Sequence, residues 1–150
     1  MSMTVEQMLK EKEGEISIVF IGPEASVHEA SELLIKKNLG ALLVMEEGKL
    51  LGILSERDIA RKLGKSGKSS KDFKVRDFMT EHVTFVEPTH TIEECMALMT
   101  KHRARHLPVL ENRRKVIGVI SIGDAVKTMI SDKQFMIDQL ESYIYGQKSR

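Results

Sequence analysis

Two rhythms of apolar and polar residues run through this chain, one helical and one extended, and the same succession of both occurs twice. Val27, Ala30, Leu33 and Leu34, and later Ile92, Cys95, Met96 and Met99, recur at helical spacing. Each series follows a helix-opening signal, Ser26 with Glu29 and Thr91 with Glu94, a capping box in both cases. Ahead of them, residues 16–21 and 83–86 are β-branched and aromatic, which predicts a short strand before Pro23 and before Pro88. After them come ALLVM then KLLGIL, and HLPVL then KVIGVI, predicting two strand pairs with polar turns at 46–48 and 111–114. A last helix opens at Ser55 and again at Ser121, within GILSERD and GVISIGD. There serine is the N-cap and Asp58 or Asp124 the third helical residue, a second kind of capping box that satisfies open backbone amides without any ligand.

The two series are copies of one another. VHEASELLIKKNLGALLVME from Val27 aligns with IEECMALMTKHRARHLPVLE from Ile92 at an offset of 65, and one extra residue before Lys115 raises the offset to 66 at the final motif. TVEQMLK at Thr4 and KVRDFMT at Lys74 correspond as leading edges. Each half therefore reads β-α-β-β-α. Its paired strands are apolar at consecutive positions, so both sheet faces need cover, and a half of about 65 residues is marginal alone. The halves are expected to cover each other, sheet to sheet, about a pseudo-twofold axis in an α+β fold. LGKSGKSSKDFK between them reads as a flexible, solvated linker. The resulting division is 1–63 for the first repeat, 64–73 for the linker, 74–130 for the second repeat and 131–150 for a C-terminal helix and tail.

Composition narrows the function. With 150 residues, 41% hydrophobic and 30% charged, the chain suits a soluble protein with one real core. No apolar run reaches the roughly 18 residues of a membrane span, and MSMTVEQMLK is neither a signal peptide nor an Arg-rich transit sequence, so a cytoplasmic protein without a membrane partner is expected. The single Cys95 fits a reducing compartment. Lys and Arg number 23 against 22 Asp and Glu, and there is no Trp, which argues against nucleic acid as a partner.

Packing the halves together would bring the ends of the last strands and the starts of the last helices to a shared cleft, giving two related sites. Gly52 and Gly118 interrupt apolar strands, as where a ligand or another backbone approaches closely; a bulge or tight packing between repeats explains them equally well. Helix N-termini favour an anion such as phosphate. A carboxylate beside them suits a vicinal diol such as ribose, and has lone pairs enough for cap and ligand together.

The tandem pattern ending in GILSERD and GVISIGD, with RHLPV in the second half, resembles the cystathionine beta-synthase (CBS) domain pair, or Bateman module, over nearly the whole chain. The resemblance implies a stand-alone regulatory module, not an enzyme, that binds AMP, ADP, ATP, NAD or S-adenosylmethionine between its repeats and acts on an unidentified partner protein, most often as a homodimer. Carried over by position, it implies a first site of Ser55, Arg57 and Asp58 with Val83, Thr84, Ala104 and His106, and a second of Ser121 and Asp124 with Ser17, Ile18, Leu39 and Ala41. The aspartates would hold ribose, the strand residues adenine, and Arg57 or His106 would face phosphate. Leu43 stands where the second repeat has Pro108.

Other chemistry is weakly signalled. Cys95 falls on the apolar face of its helix and reads as core, His102 and His106 straddle a helix end rather than forming a helical metal pair, and the methionines read as packing. ISDKQFMIDQLESYIYG continues the last helix with Met136, Leu140, Tyr143 and Ile144 near one side, which needs cover from this domain or from a second copy. A ligand-free interaction scaffold is the competing function. An enzyme ranks below both, because no nucleophile, base and oxyanion set is apparent.

Overall fold

Residues 3–12 and 18–145 are described in the computed structural model. In chain order the elements are α1 (Val5–Glu11), β1 (Phe20–Ile21), α2 (Val27–Lys37), β2 (Ala41–Glu46), β3 (Lys49–Ser55), α3 (Glu56–Ser66), α4 (Val75–Phe78), α5 (Ile92–His102), β4 (His106–Glu111), β5 (Lys115–Ser121) and α6 (Ile122–Tyr145). The expected capping boxes open α2 and α5: Ser26 Oγ accepts the Glu29 N–H at 3.0 Å and Thr91 Oγ1 the Glu94 N–H at 3.1 Å, with each glutamate bonding back. Both helices stop at a residue in the left-handed region, Asn38 and Arg103.

β2 and β3 pair antiparallel, as do β4 and β5, with matching registers: Ala41 lies opposite Ser55 and His106 opposite Ser121. Glu47 and Gly48, both at positive φ, close the first hairpin in two residues, while the second turn, 112–114, carries the extra residue inferred from the changed offset.

The expected first strand of each repeat is shorter than its apolar run. Residues 16 and 17 lie outside the described region, and the remainder contributes Phe20–Ile21, parallel to β2. The strand predicted at 83–86 is reduced to one bridge, Val86 with Val109. Val86 donates to the Pro108 carbonyl at 3.0 Å and accepts from Leu110 at 2.9 Å, but extending this parallel ladder toward Thr84 would need an N–H at 108, which proline lacks. Leu43, its counterpart, has that donor and keeps a partner in Phe20.

Two cores form, and each borrows the leading helix of the other repeat. Val75 and Phe78 of α4 pack with Val27, Ala30, Leu34, Leu42, Val44 and Leu54, whereas Val5, Met8 and Leu9 of α1 pack with Val86, Ile92, Cys95, Leu107 and Ile120. Backbone bonds repeat the exchange: Val5 N–H to His90 O and Val75 N–H to Ala25 O, both 2.8 Å. Leu43, Leu110 and Val116, with Phe85 and Val119, fill the space between the sheets, so the repeats pack sheet to sheet. Tight packing also accounts for the strand glycines. A Cβ on Gly52 would meet the Thr80 carbonyl oxygen at 2.7 Å, and one on Gly118 would meet Leu9 at 3.0 Å.

The stretch expected to be a flexible tether is folded. α3 runs to Ser66, Gly67 ends it at positive φ, and Ser70–Asp72 forms a 3-10 turn capped by Ser69. Ser70 Oγ lies 3.2 Å from His28 Nδ1, and Phe73 packs on Phe78 with ring centroids 4.9 Å apart. Its serines and glycines serve caps and turns rather than disorder.

Candidate functional site

A cavity of about 520 Å³ opens between the repeats where β5 passes into α6. Ser121 caps α6: its Oγ accepts the Asp124 N–H at 3.0 Å, and Asp124 Oδ2 accepts the Ser121 N–H at 3.1 Å. This closed box fixes the carboxylate at the cavity wall. The equivalent place in the first repeat is built differently, because Ser55 Oγ accepts the Asp58 N–H at 3.0 Å without a return bond from the Asp58 carboxylate. The expectation of matching boxes therefore holds only at Asp124.

The opposite wall comes from the first repeat. Leu39, Gly40 and Ala41 lead into β2, with Leu43, Ile53 and Val19 deeper in. Gly40 allows a close approach: a Cβ there would lie 3.2 Å from Cε1 and Nε2 of His106, so that the ring would have to give by a few tenths of an ångström. Lys37 and Asn38, at the end of α2, and Leu9 and Lys12, at the end of α1, complete the rim. Lys12 Nζ reaches Asp124 Oδ2 at 3.0 Å.

Electrostatics follow from this arrangement. Burial pushes the Asp124 acid toward its protonated form, but hydrogen bonds from Ser121 and Lys12 outweigh it and hold the carboxyl below the usual range. It is ionised at neutral pH. Burial lowers the His106 imidazolium below the ordinary histidine range, opposed by Asp124 and Glu56 and reinforced by Arg105. The ring is thus neutral at pH 7, able to donate at one nitrogen and accept at the other.

Of the residues assigned to the second site, Ser121, Asp124, Leu39 and Ala41 line this cavity together. Ile18 is on the surface and its neighbour Val19 takes the place on the wall, while Ser17 lies outside the described residues. His106, assigned to the first site, also lines this cavity, its ring packed against Gly40 of the first repeat. The other first-site residues, Ser55, Arg57, Asp58, Val83, Thr84 and Ala104, do not line it. Ala104 instead packs against the second core, and Arg57 is exposed on the first turn of α3. Lys12, Lys37 and Gly40 were missed. Gly40 could have been suspected from its place between a helix end and a strand, but Lys12 carries no sequence signal, since its role depends on α1 docking on the other repeat.

Cys95 is fully buried, and burial, aided by Glu94, pushes its thiol up to about 11, so it is packing rather than a nucleophile. Among the described residues no cluster of three His, Cys, Asp or Glu could hold a metal ion, and no helix is long and apolar enough to cross a membrane.

A profile of the CBS domain matches residues 14–65 and 75–131. The chain belongs to the CBS-domain family. It is 35% identical over 152 residues to the CBS domain-containing protein CBSX3, mitochondrial, of Arabidopsis thaliana, covering 97% of this chain and 73% of that one. Among solved CBS structures, the CBS-domain protein NE2398 is 48% identical with a TM-score of 0.81, covering 87% of this chain and 99% of that one. CBSX2, solved in complex with AMP, is 26% identical with a TM-score of 0.68, covering 87% and 98% of the two chains. The cavity thus lies between the two CBS repeats of a pair.

Proposed function

We propose that this CBS pair is a non-catalytic regulatory module that binds an adenine nucleotide, AMP, ADP, ATP or NAD, in the cavity beside Asp124 and so modulates a partner protein. The observation that carries this reading is an ionised carboxylate, fixed by a helix cap, in a cavity whose walls come from both repeats. The AMP complex of CBSX2 supports the ligand class. Asp124 and Ser121 would engage ribose, Leu39 and Ala41 with Val19 the base, and His106 the polar edge of the ligand. Ser55, Arg57 and Asp58, with Val83, Thr84 and Ala104, would form a second, weaker place for nucleotide. A ligand touching both repeats can change their relation only if it prefers one arrangement over another.

A nucleotide bound by the folded state alone stabilises it by about 2.7 kcal/mol at a hundredfold excess over Kd. For a chain of this size that is a rise in Tm of about 5 to 10 °C. Melting curves with AMP, ADP, ATP, NAD and S-adenosylmethionine test this, and a flat response to all five would favour the ligand-free scaffold. That second reading draws on one observation: Asp124 already has partners in Ser121 and Lys12.

We further propose a homodimer joined through α6. Along this helix of 24 residues, Val126, Ile130, Ile137, Leu140 and Ile144 are exposed, spaced four and three apart as in a helix-pairing seam interrupted by Lys133. Light scattering at micromolar concentration should give twice the 17.0 kDa chain mass, and Leu140→Asp should return it to the monomer. A monomer in the parent would remove this element of the proposal.

A further inference from the structure

Asp124 Oδ2 is doubly engaged: it accepts the Ser121 N–H at 3.1 Å and Lys12 Nζ at 3.0 Å. Each carboxylate oxygen offers about two lone-pair directions, so Oδ2 is saturated while Oδ1 has room. A vicinal diol that grips both oxygens of a carboxylate needs one of the directions Lys12 occupies. The Ser121 bond is part of the helix cap and stays. Lys12 is the group that must give way.

Lys12 is suited to moving. It is the residue closing α1, its side chain is about a third exposed, and it belongs to the cavity rim together with Lys37. Two lysines therefore stand around a cavity whose lining has one carboxylate. A neutral nucleoside that displaced Lys12 would leave an ammonium without its anion at a half-buried position. A ligand that carries an anion beside its ribose repairs this loss, because the phosphate becomes the new partner of the released ammonium.

We infer that Lys12 is a specificity-determining residue that blocks the ribose position of Asp124 until a phosphorylated nucleoside supplies it with a replacement counter-ion. This rests on the nucleotide-binding reading of the same cavity and adds the residue that separates 5′-phosphorylated from neutral nucleosides there. A lysine that merely favours the helix C-terminus or makes a surface ion pair would add little stability and no ligand preference.

The test is calorimetric titration of AMP and of adenosine into the parent, Lys12→Gln and Lys12→Arg, each checked by its melting curve. The parent should prefer AMP. Lys12→Gln should lower the AMP to adenosine affinity ratio by about tenfold to a hundredfold, since a charge-assisted bond to phosphate is lost while the competitor for Asp124 is also gone. Adenosine should bind Lys12→Gln at least as tightly as it binds the parent, and Lys12→Arg should keep most of the preference. If both ligands bind and the ratio is the same in Lys12→Gln as in the parent, Lys12 does not read the phosphate, and the nucleotide-binding reading stands without it. If neither ligand binds the folded parent or either variant, the nucleotide-binding reading of this cavity fails and takes this inference with it.

Discussion

Asp124→Ala is expected to weaken nucleotide affinity at the inter-repeat cavity by about tenfold to a hundredfold, the equivalent of about 1.5 to 3 kcal/mol for hydrogen bonds to a charged group. The same substitution opens the helix cap, because the Ser121 N–H loses its acceptor, and it frees Lys12. Those structural losses are modest: a broken capping box costs about 1 kcal/mol, and a partly buried single ion pair on the order of 1 kcal/mol. Ser26→Ala is the matched control. It breaks an equally regular box at α2, on an exposed edge remote from the cavity lining, and should lower stability by a similar amount while leaving affinity unchanged. Asp58→Ala belongs in the same series, since Asp58 occupies the equivalent place but its carboxylate does not close the cap. Its effect on binding should be the smaller of the two. Should Asp124→Ala, Asp58→Ala and the double variant all bind nucleotide like the parent while Asp124→Ala melts lower, the Asp124 carboxylate serves its helix cap only and the regulatory mechanism proposed here is wrong.

The regular elements were legible because their determinants are local. Ser26 with Glu29, Thr91 with Glu94 and the helical spacing behind them specify α2 and α5 within a dozen residues, and the apolar runs with short polar turns specify both hairpins. What escaped depends on partners distant in the chain. The run 83–86 has strand composition, but whether it pairs is decided by the missing N–H of Pro108. LGKSGKSSKDFK has linker composition, yet Phe73 and Ser70 find contacts on Phe78 and α2 that no local pattern announces. The site divides the same way. Ser121 and Asp124 were visible as a motif; that His106 also lines the cavity beside Asp124 was not, because it depends on the close approach of Gly40 from the other repeat. Lys12 was invisible, since only the exchange of leading helices brings α1 to Asp124.

That exchange leads to the largest stability effect expected in the molecule. Val5 is 0% exposed and sits where α1 meets the core of the second repeat, its N–H bonded to His90 O at 2.8 Å. Val5→Asp places a carboxylate there without a buried cation to meet it, since the cluster around it is Met8, Val86, Ile92, Leu107 and Ile120. An uncompensated buried charge costs about 3 to 5 kcal/mol, which for a domain of this size is a fall in Tm of roughly 6 to 20 °C. Ile35→Asp, on the 80% exposed position of α2, introduces the same charge and should change stability by no more than about 0.5 kcal/mol. Because α1 also carries Leu9 and Lys12 to the cavity, Val5→Asp should disturb the site as well as the fold, and nucleotide should recover less of the lost Tm than it adds to the parent. Val75→Asp is the mirror experiment, since Val75 is equally buried on the first repeat, and it should cost a similar amount while leaving α1 and Lys12 in place. Each repeat would then depend on a helix supplied by the other, so both variants should melt in one transition. A Val5→Asp protein that melts like the parent, or that loses one repeat in a separate step while the other stays folded, would show that the leading helices are not shared between the cores.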